Sequence, residues 1–191
     1  PNFCATDAAV VGEARRRFDA FVAAPEGDGA KELPAEYQEA VYKLVLKNGG
    51  EKEFDQILGL FDSLTLNTAR KAALQGLGAA PTDALRTRAL EFAIGGKVKL
   101  QDLFYVAISM HTSGEAGLNA TWAFFKENLP KYTELYDKAS ASLMDAVISG
   151  ACRSFATAEK AAEVKAFFAA QTLPKNERTI AQLTESIETN A

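Results

Sequence analysis

The chain contains a single histidine, and that scarcity limits the chemistry its residues could perform. His111 and Glu115 stand four apart, a spacing that places two metal-ligating groups on one face of a helix and makes half of a zinc site conceivable. Ser113 and Gly114 between them read as a helix end, however, and no third ligand is near. The competing reading makes His111 a helix-terminal residue that interacts with last-turn carbonyls. A Ser-His-Asp or Cys-His arrangement would also have to recruit His111, the latter through Cys4 or Cys152. A small hydrolase built on His111 is therefore a third-ranked expectation.

Other reactive types are equally bare of context. Cys152 sits beside Arg153 in "SGACRSF", where a guanidinium could activate the thiol. On an alanine-rich helix a small thiol also serves as a buried filler, and that reading is preferred. The glycine clusters "GDGAKE" and "GLGAAP" put Glu32 and Pro81 where a dinucleotide-binding loop needs its third glycine, and no strand precedes either. Carboxylate pairs such as Glu51 with Glu53, or Glu185 with Glu188, read as solvated helix faces. Asn119-Ala120-Thr121 has the form of a glycosylation acceptor but falls inside a helical pattern.

Arg15, Arg16 and Arg17 are consecutive and so point in three directions on a helix, and Lys97 with Lys99 makes the other basic spot. With a formal charge of −4, the chain has no general attraction for phosphates, so nucleic acid is not an expected partner. Trp122, Phe124, Phe125, Tyr132 and Tyr136 could form a stacking platform, but their helical spacing favours a packed core.

The elements that must position these residues are helices. In "EKEFDQILGLFDSL" the apolar residues Phe54, Ile57, Leu58, Phe61 and Leu64 recur at the helical period. In "AEYQEAVYKLVLKNGG" a stripe through Val41, Leu44 and Val45 ends at Gly49-Gly50, expected to supply a left-handed stop. Nine further stretches behave alike: 6–23, 65–78, 82–94, 100–111, 117–128, 132–137, 140–155, 157–170 and 176–190. Pro34, Gly95-Gly96, Gly114, Pro130 and Pro174 separate them, with Thr6-Asp7, Thr82 and Thr157 as caps. "APEGDGAKELP", residues 24–34, reads as a flexible surface loop.

The fold class is thus all-α, about ten or eleven short helices in one domain spanning residues 1–191. Many short helices with brief links bury their stripes best as a stack of antiparallel pairs. No apolar run reaches the roughly 18–20 residues that span a bilayer, so no membrane partner is expected. Two cysteines in a chain of this size make reduced thiols and a cytoplasmic location the expectation. The chain opens at Pro1 and breaks off mid-pattern at Ala191, as a piece of a longer protein would.

Six stretches, in order, carry a resemblance: "GEARRRFDAFV" (Gly12 to Val22), "EAVYKLVLKNGG" (Glu39 to Gly50), "ALQGLGAAPTDALRTRALEFAIGGKVKLQDLFYV" (Ala73 to Val106), "WAFFKENL" (Trp122 to Leu129), "FATAEKAAEVKAFF" (Phe155 to Phe168) and "ERTIAQLTESIETNA" (Glu177 to Ala191). Together they resemble the C-terminal helical domain of gluzincin zinc aminopeptidases of the puromycin-sensitive type. The resemblance implies a right-handed superhelix of HEAT or armadillo type that curves over an N-terminal catalytic domain and encloses a chamber for peptide substrates. It also implies that zinc, held by an H-E-x-x-H motif with a downstream glutamate, and a Gly-x-Met-Glu-Asn segment belong to that other domain; neither motif occurs here. In the parent, the zinc would polarise the carbonyl and activate water, with a glutamate as general base. No catalytic, cofactor-binding or metal-ligating role carries over to any residue of this chain, and substrate-binding residues stay unassigned.

Leu129 departs from the family, which often has tryptophan after "KEN", and the tryptophan-bearing stretch that commonly follows the match to Asn190-Ala191 is absent. The expected function is a non-catalytic wall of an aminopeptidase chamber. The alternative from a different class is a free-standing helical-repeat scaffold that binds a partner protein.

Overall fold

A computed structural model describes residues 7–191. Every regular element among these residues is helical: α1 (Ala8–Ala23), α2 (Asp28–Glu32), α3 (Ala35–Lys47), α4 (Glu51–Ser63), α5 (Asn67–Leu77), α6 (Asp83–Ala93), α7 (Phe104–Met110), α8 (Glu115–Tyr136), α9 (Ala141–Cys152), α10 (Ala158–Ala169) and α11 (Glu177–Thr189). Short 3-10 turns at Leu100–Asp102 and His111–Ser113 flank α7.

Three helices, α1, α6 and α10, begin at residues whose side chains satisfy free N–H groups of the first turn. Asp7 accepts from the backbone N–H groups of Ala9 and Val10, Thr82 from that of Leu85, and Thr157 from that of Lys160. All three are the caps expected from sequence; Thr6 lies outside the described residues, as do Pro1 and Cys4.

Stacking follows a simple order. Helices α1, α3, α5, α7, α9 and α11 each pack on the next, and α4, α6, α8 and α10 lie against that row. A single apolar core, from Ala14 to Ile187, runs through the array. The core residues come from successive helices along the row, so stability comes from the contacts between neighbouring helices. No helix among the described residues is long and apolar enough to cross a membrane.

Three local expectations are corrected. Pro130 does not separate two helices; it lies inside α8, which joins the segments 117–128 and 132–137 into one 22-residue helix. Proline removes one backbone donor there, leaving the Lys126 carbonyl without its helical partner. Pro130 is exposed, so water can serve that carbonyl, while Phe125, Leu129 and Tyr132 on either side are buried and hold the helix through the break.

Residues 24–34 are not a loose loop. They contain α2, and Leu33 behind it is fully buried. Gly29 comes so near α1 that a Cβ would lie 2.3 Å from the Ala20 carbonyl oxygen and 2.6 Å from that of Ala24. The glycine permits a backbone-to-backbone contact that hydrophilic composition conceals.

Gly49-Gly50 ends α3 without a left-handed turn, for among described residues only Gly96 and Gly114 have positive φ. Gly49 instead leaves room for Glu53, whose carboxylate accepts from the Gly50 N–H at 2.8 Å and would meet a Gly49 Cβ at 2.6 Å. This is half of a capping box, with the acid of the first turn reaching back over the helix start.

Candidate functional site

The side chains with reactive potential fall into two polar knots on the joints between helices. The first centres on His111, at the end of α7. Its Nε2 lies 2.7 Å from the Gly150 carbonyl oxygen in the last turn of α9. A carbonyl only accepts, so Nε2 carries the proton. Nδ1 then offers its lone pair to the Ser154 hydroxyl, 2.7 Å away. The helix-terminal reading of His111 was right in kind, but the carbonyl it meets belongs to α9 and not to its own helix.

Burial lowers the His111 pKa below its ordinary value and the nearby Arg153 adds to that, while the bond to Gly150 works in the opposite direction. The ring is therefore a neutral hydrogen-bonding bridge between α7 and α9 near neutral pH. Glu115, its notional metal partner, is exposed in the first turn of α8. Gly114 turns the chain between them with φ of +74°.

Ser154 beside His111 is a pairing that sequence reasoning missed. Residues 43 apart meet only because α7 and α9 are neighbours, and no local spacing could signal it. A hydroxyl donating to a neutral imidazole has the first element of nucleophile activation. Cys152, two residues away, is fully buried, and burial pushes its thiol up to about 12. It donates to the Ile148 carbonyl and fills space, as the preferred reading had it.

The second knot joins α8 to α10. Glu163 accepts from the Trp122 indole N–H at 2.7 Å and from the Lys126 ammonium at 2.7 Å, and its other oxygen takes Lys160 at 2.8 Å. Lys126 first, then Lys160, hold its carboxyl down at about 2 against the opposing effect of burial. Trp122 stacks on Phe125 and meets Phe155, Phe167 and Phe168. The five aromatics expected to be core are all buried, so none forms an open stacking platform.

The remaining residues singled out from sequence are engaged structurally. Arg15 crosses to Glu53 at 2.8 Å, while Arg16 and Arg17 share Glu13. Glu53 is only 8% exposed, which corrects its reading as part of a solvated face; Glu51, Glu185 and Glu188 are exposed. Lys97 pairs with Asp62 and Glu188 with Lys165. Asn119 lies within α8, and the Thr121 hydroxyl is buried and donates to the Gly117 carbonyl. Among the described residues no three His, Cys, Asp or Glu side chains cluster closely enough to hold a metal ion. With both imidazole nitrogens engaged, His111 does not fit a catalytic zinc, and no zinc-dependent step can be derived from these residues.

The order of helices, the capped starts and the absence of a metal-ligating cluster among the described residues frame the comparison with known proteins. The family model described as ERAP1-like C-terminal domain matches residues 2–189. The chain belongs to this family. As an ERAP1-like C-terminal domain it is similar to aminopeptidase M1-B of Oryza sativa subsp. japonica, 27% identical over 184 residues, covering 95% of this chain and 20% of that protein. Aminopeptidase M1 of Arabidopsis thaliana is 27% identical over 182 residues, 94% of the chain and 20% of the relative. The puromycin-sensitive aminopeptidase of Caenorhabditis elegans is 25% identical over 162 residues, 80% of the chain and 17% of the relative. The domain thus spans about a fifth of the length of the curated relatives it matches. The knots at His111 and Glu163 stitch the ERAP1-like stack together at its α7–α9 and α8–α10 joints.

Proposed function

We propose that this domain is the C-terminal part of a zinc-dependent aminopeptidase that removes N-terminal amino acids from peptides. It performs no bond cleavage itself. Its helical stack walls the chamber in which peptides are held and docks on an N-terminal catalytic domain, which carries the zinc. The working location is the cytoplasm, although a related aminopeptidase of Saccharomyces cerevisiae is described as mitochondrial.

The observation that carries this reading is a family match over nearly the whole chain, in relatives named aminopeptidases whose other four-fifths lie outside the match. The polar groups support it from the other side. His111, Glu163 and Arg15 each connect two helices, which is the work of a scaffold.

The test compares three preparations on an aminoacyl fluorogenic substrate and on a longer peptide. The isolated domain with added zinc is expected to give no turnover. The long chain is expected to be active, and the long chain lacking these residues to lose its discrimination between the short substrate and the longer peptide. Turnover by the isolated domain overturns the non-catalytic role; unchanged discrimination after deletion overturns the chamber wall.

A further inference from the structure

The joint between α5 and the segment that leads from α6 to α7 holds two buried polar atoms that lack a hydrogen-bond partner. Arg70 Nε is a donor and Asp102 Oδ1 an acceptor; each is fully shielded from solvent and makes no hydrogen bond. Both residues line one small cavity, with Lys71, Lys99, Asn67 and Phe61 among the others. Orphaned atoms are rare in folded proteins, because each loses its hydration without replacement. A complementary donor and acceptor on one cavity wall call for an occupant that both accepts and donates.

The cavity admits the centre of a water-sized sphere over about 10 Å³, on the order of what one water requires. That volume is too small for a phosphate, a sulfate or a peptide carboxylate. Three cationic side chains, Arg70, Lys71 and Lys99, outnumber the single carboxylate of Asp102 in its lining and together repel a metal cation. Asp102 is 4% exposed, and its Oδ1 lies 3.6 Å from the Lys71 ammonium, an ion pair beyond hydrogen-bond reach. The Arg70 guanidinium sits 4.2 Å above the ring of Phe61, which lines the same cavity.

We propose that this cavity is an internal hydration site in which one water accepts from Arg70 Nε and donates to Asp102 Oδ1. The water pins α5 to the 3-10 turn Leu100–Asp102 and so holds the crossover between α6 and α7 in place. Its remaining lone pair faces the Lys71 ammonium, giving it the two to four partners such waters have.

The experiment is a high-resolution crystal structure of the chain, joined to water-relaxation dispersion that counts long-lived internal waters. A solvent peak within about 3.2 Å of both Arg70 Nε and Asp102 Oδ1 is the expected result. In solution Asp102→Asn, which keeps an acceptor, retains the wild-type count, and Asp102→Leu loses about one long-lived water. A direct Arg70–Asp102 hydrogen bond, an ion in place of water, or an unchanged count in Asp102→Leu overturns the proposal. If Asp102→Leu does not fold, the wild-type density alone decides.

Discussion

The indole N–H of Trp122 on α8 donates to the Glu163 carboxylate on α10 across 2.7 Å, and the two residues are 41 apart in the chain. This bond satisfies the one polar atom of the largest fully buried side chain, letting an aromatic anchor sit in an apolar joint without an orphaned donor. Trp122→Ala is expected to destabilise the domain by about 3–5 kcal/mol. Glu163→Gln keeps an acceptor for the indole but gives up the ion pairs to Lys126 and Lys160, and at this partly exposed site should cost about 1–2 kcal/mol. Urea unfolding followed by circular dichroism measures both, and equal losses would show that the carboxylate rather than the packing of the indole dominates this joint.

Acid weakens the same joint. The folded Glu163 pKa of about 2 lies below the ordinary 4.5, so the unfolded chain binds protons more readily. The contribution is complete above about pH 4.5 and is lost as pH falls through about 2. Thermal unfolding of wild type and Glu163→Gln at about pH 5 and about pH 3 should show the wild type losing more of its Tm. Parallel losses in the two proteins count against Glu163 as the titrating group. Trp122 is the sole tryptophan, so its fluorescence reports this joint directly.

His111 gives a second, milder pH dependence. Burial lowers its folded pKa below 6.5, so its stabilising contribution is complete above pH 6.5 and declines as pH drops through the lowered value. His111→Ala leaves the Gly150 carbonyl and the Ser154 hydroxyl without their partner and is expected to cost about 1–3 kcal/mol. It should also flatten the stability profile just below pH 6.5, as read from denaturant midpoints across that range. A profile as steep as wild type assigns the slope elsewhere.

Gly29→Ala tests whether residues 24–34 are docked. The new methyl group would fall 2.3 Å from the Ala20 oxygen, a contact that the backbone of α1 can relieve only by moving. A loss of about 1–3 kcal/mol and faster proteolysis between α1 and α3 are expected. A neutral substitution would mean that α2 is held loosely.

Cys152 should be inert toward thiol reagents. Its buried thiol, with a pKa pushed up to about 12, has almost no thiolate at neutral pH. Labelling read by mass spectrometry is expected at this residue only as the domain unfolds, so its rate should rise with urea. Fast labelling in native buffer would place the thiol at an open surface.

The sequence, by itself, determined the all-helical class, most of the helices and the caps at Asp7, Thr82 and Thr157, because periodicity and capping act within a few residues. It also carried the family, through stretches spread along the whole chain. What it misjudged were places where distant backbone decides. Pro130 continues α8 because buried neighbours on either side outweigh one lost hydrogen bond, and Gly29 matters because α1 lies against it. The polar knots were likewise illegible: His111 with Ser154 and Trp122 with Glu163 are separated by 43 and 41 residues. Local propensity acts over a turn or two of helix, whereas these pairings arise only when successive helices stack, so tertiary structure alone decided which polar side chains meet.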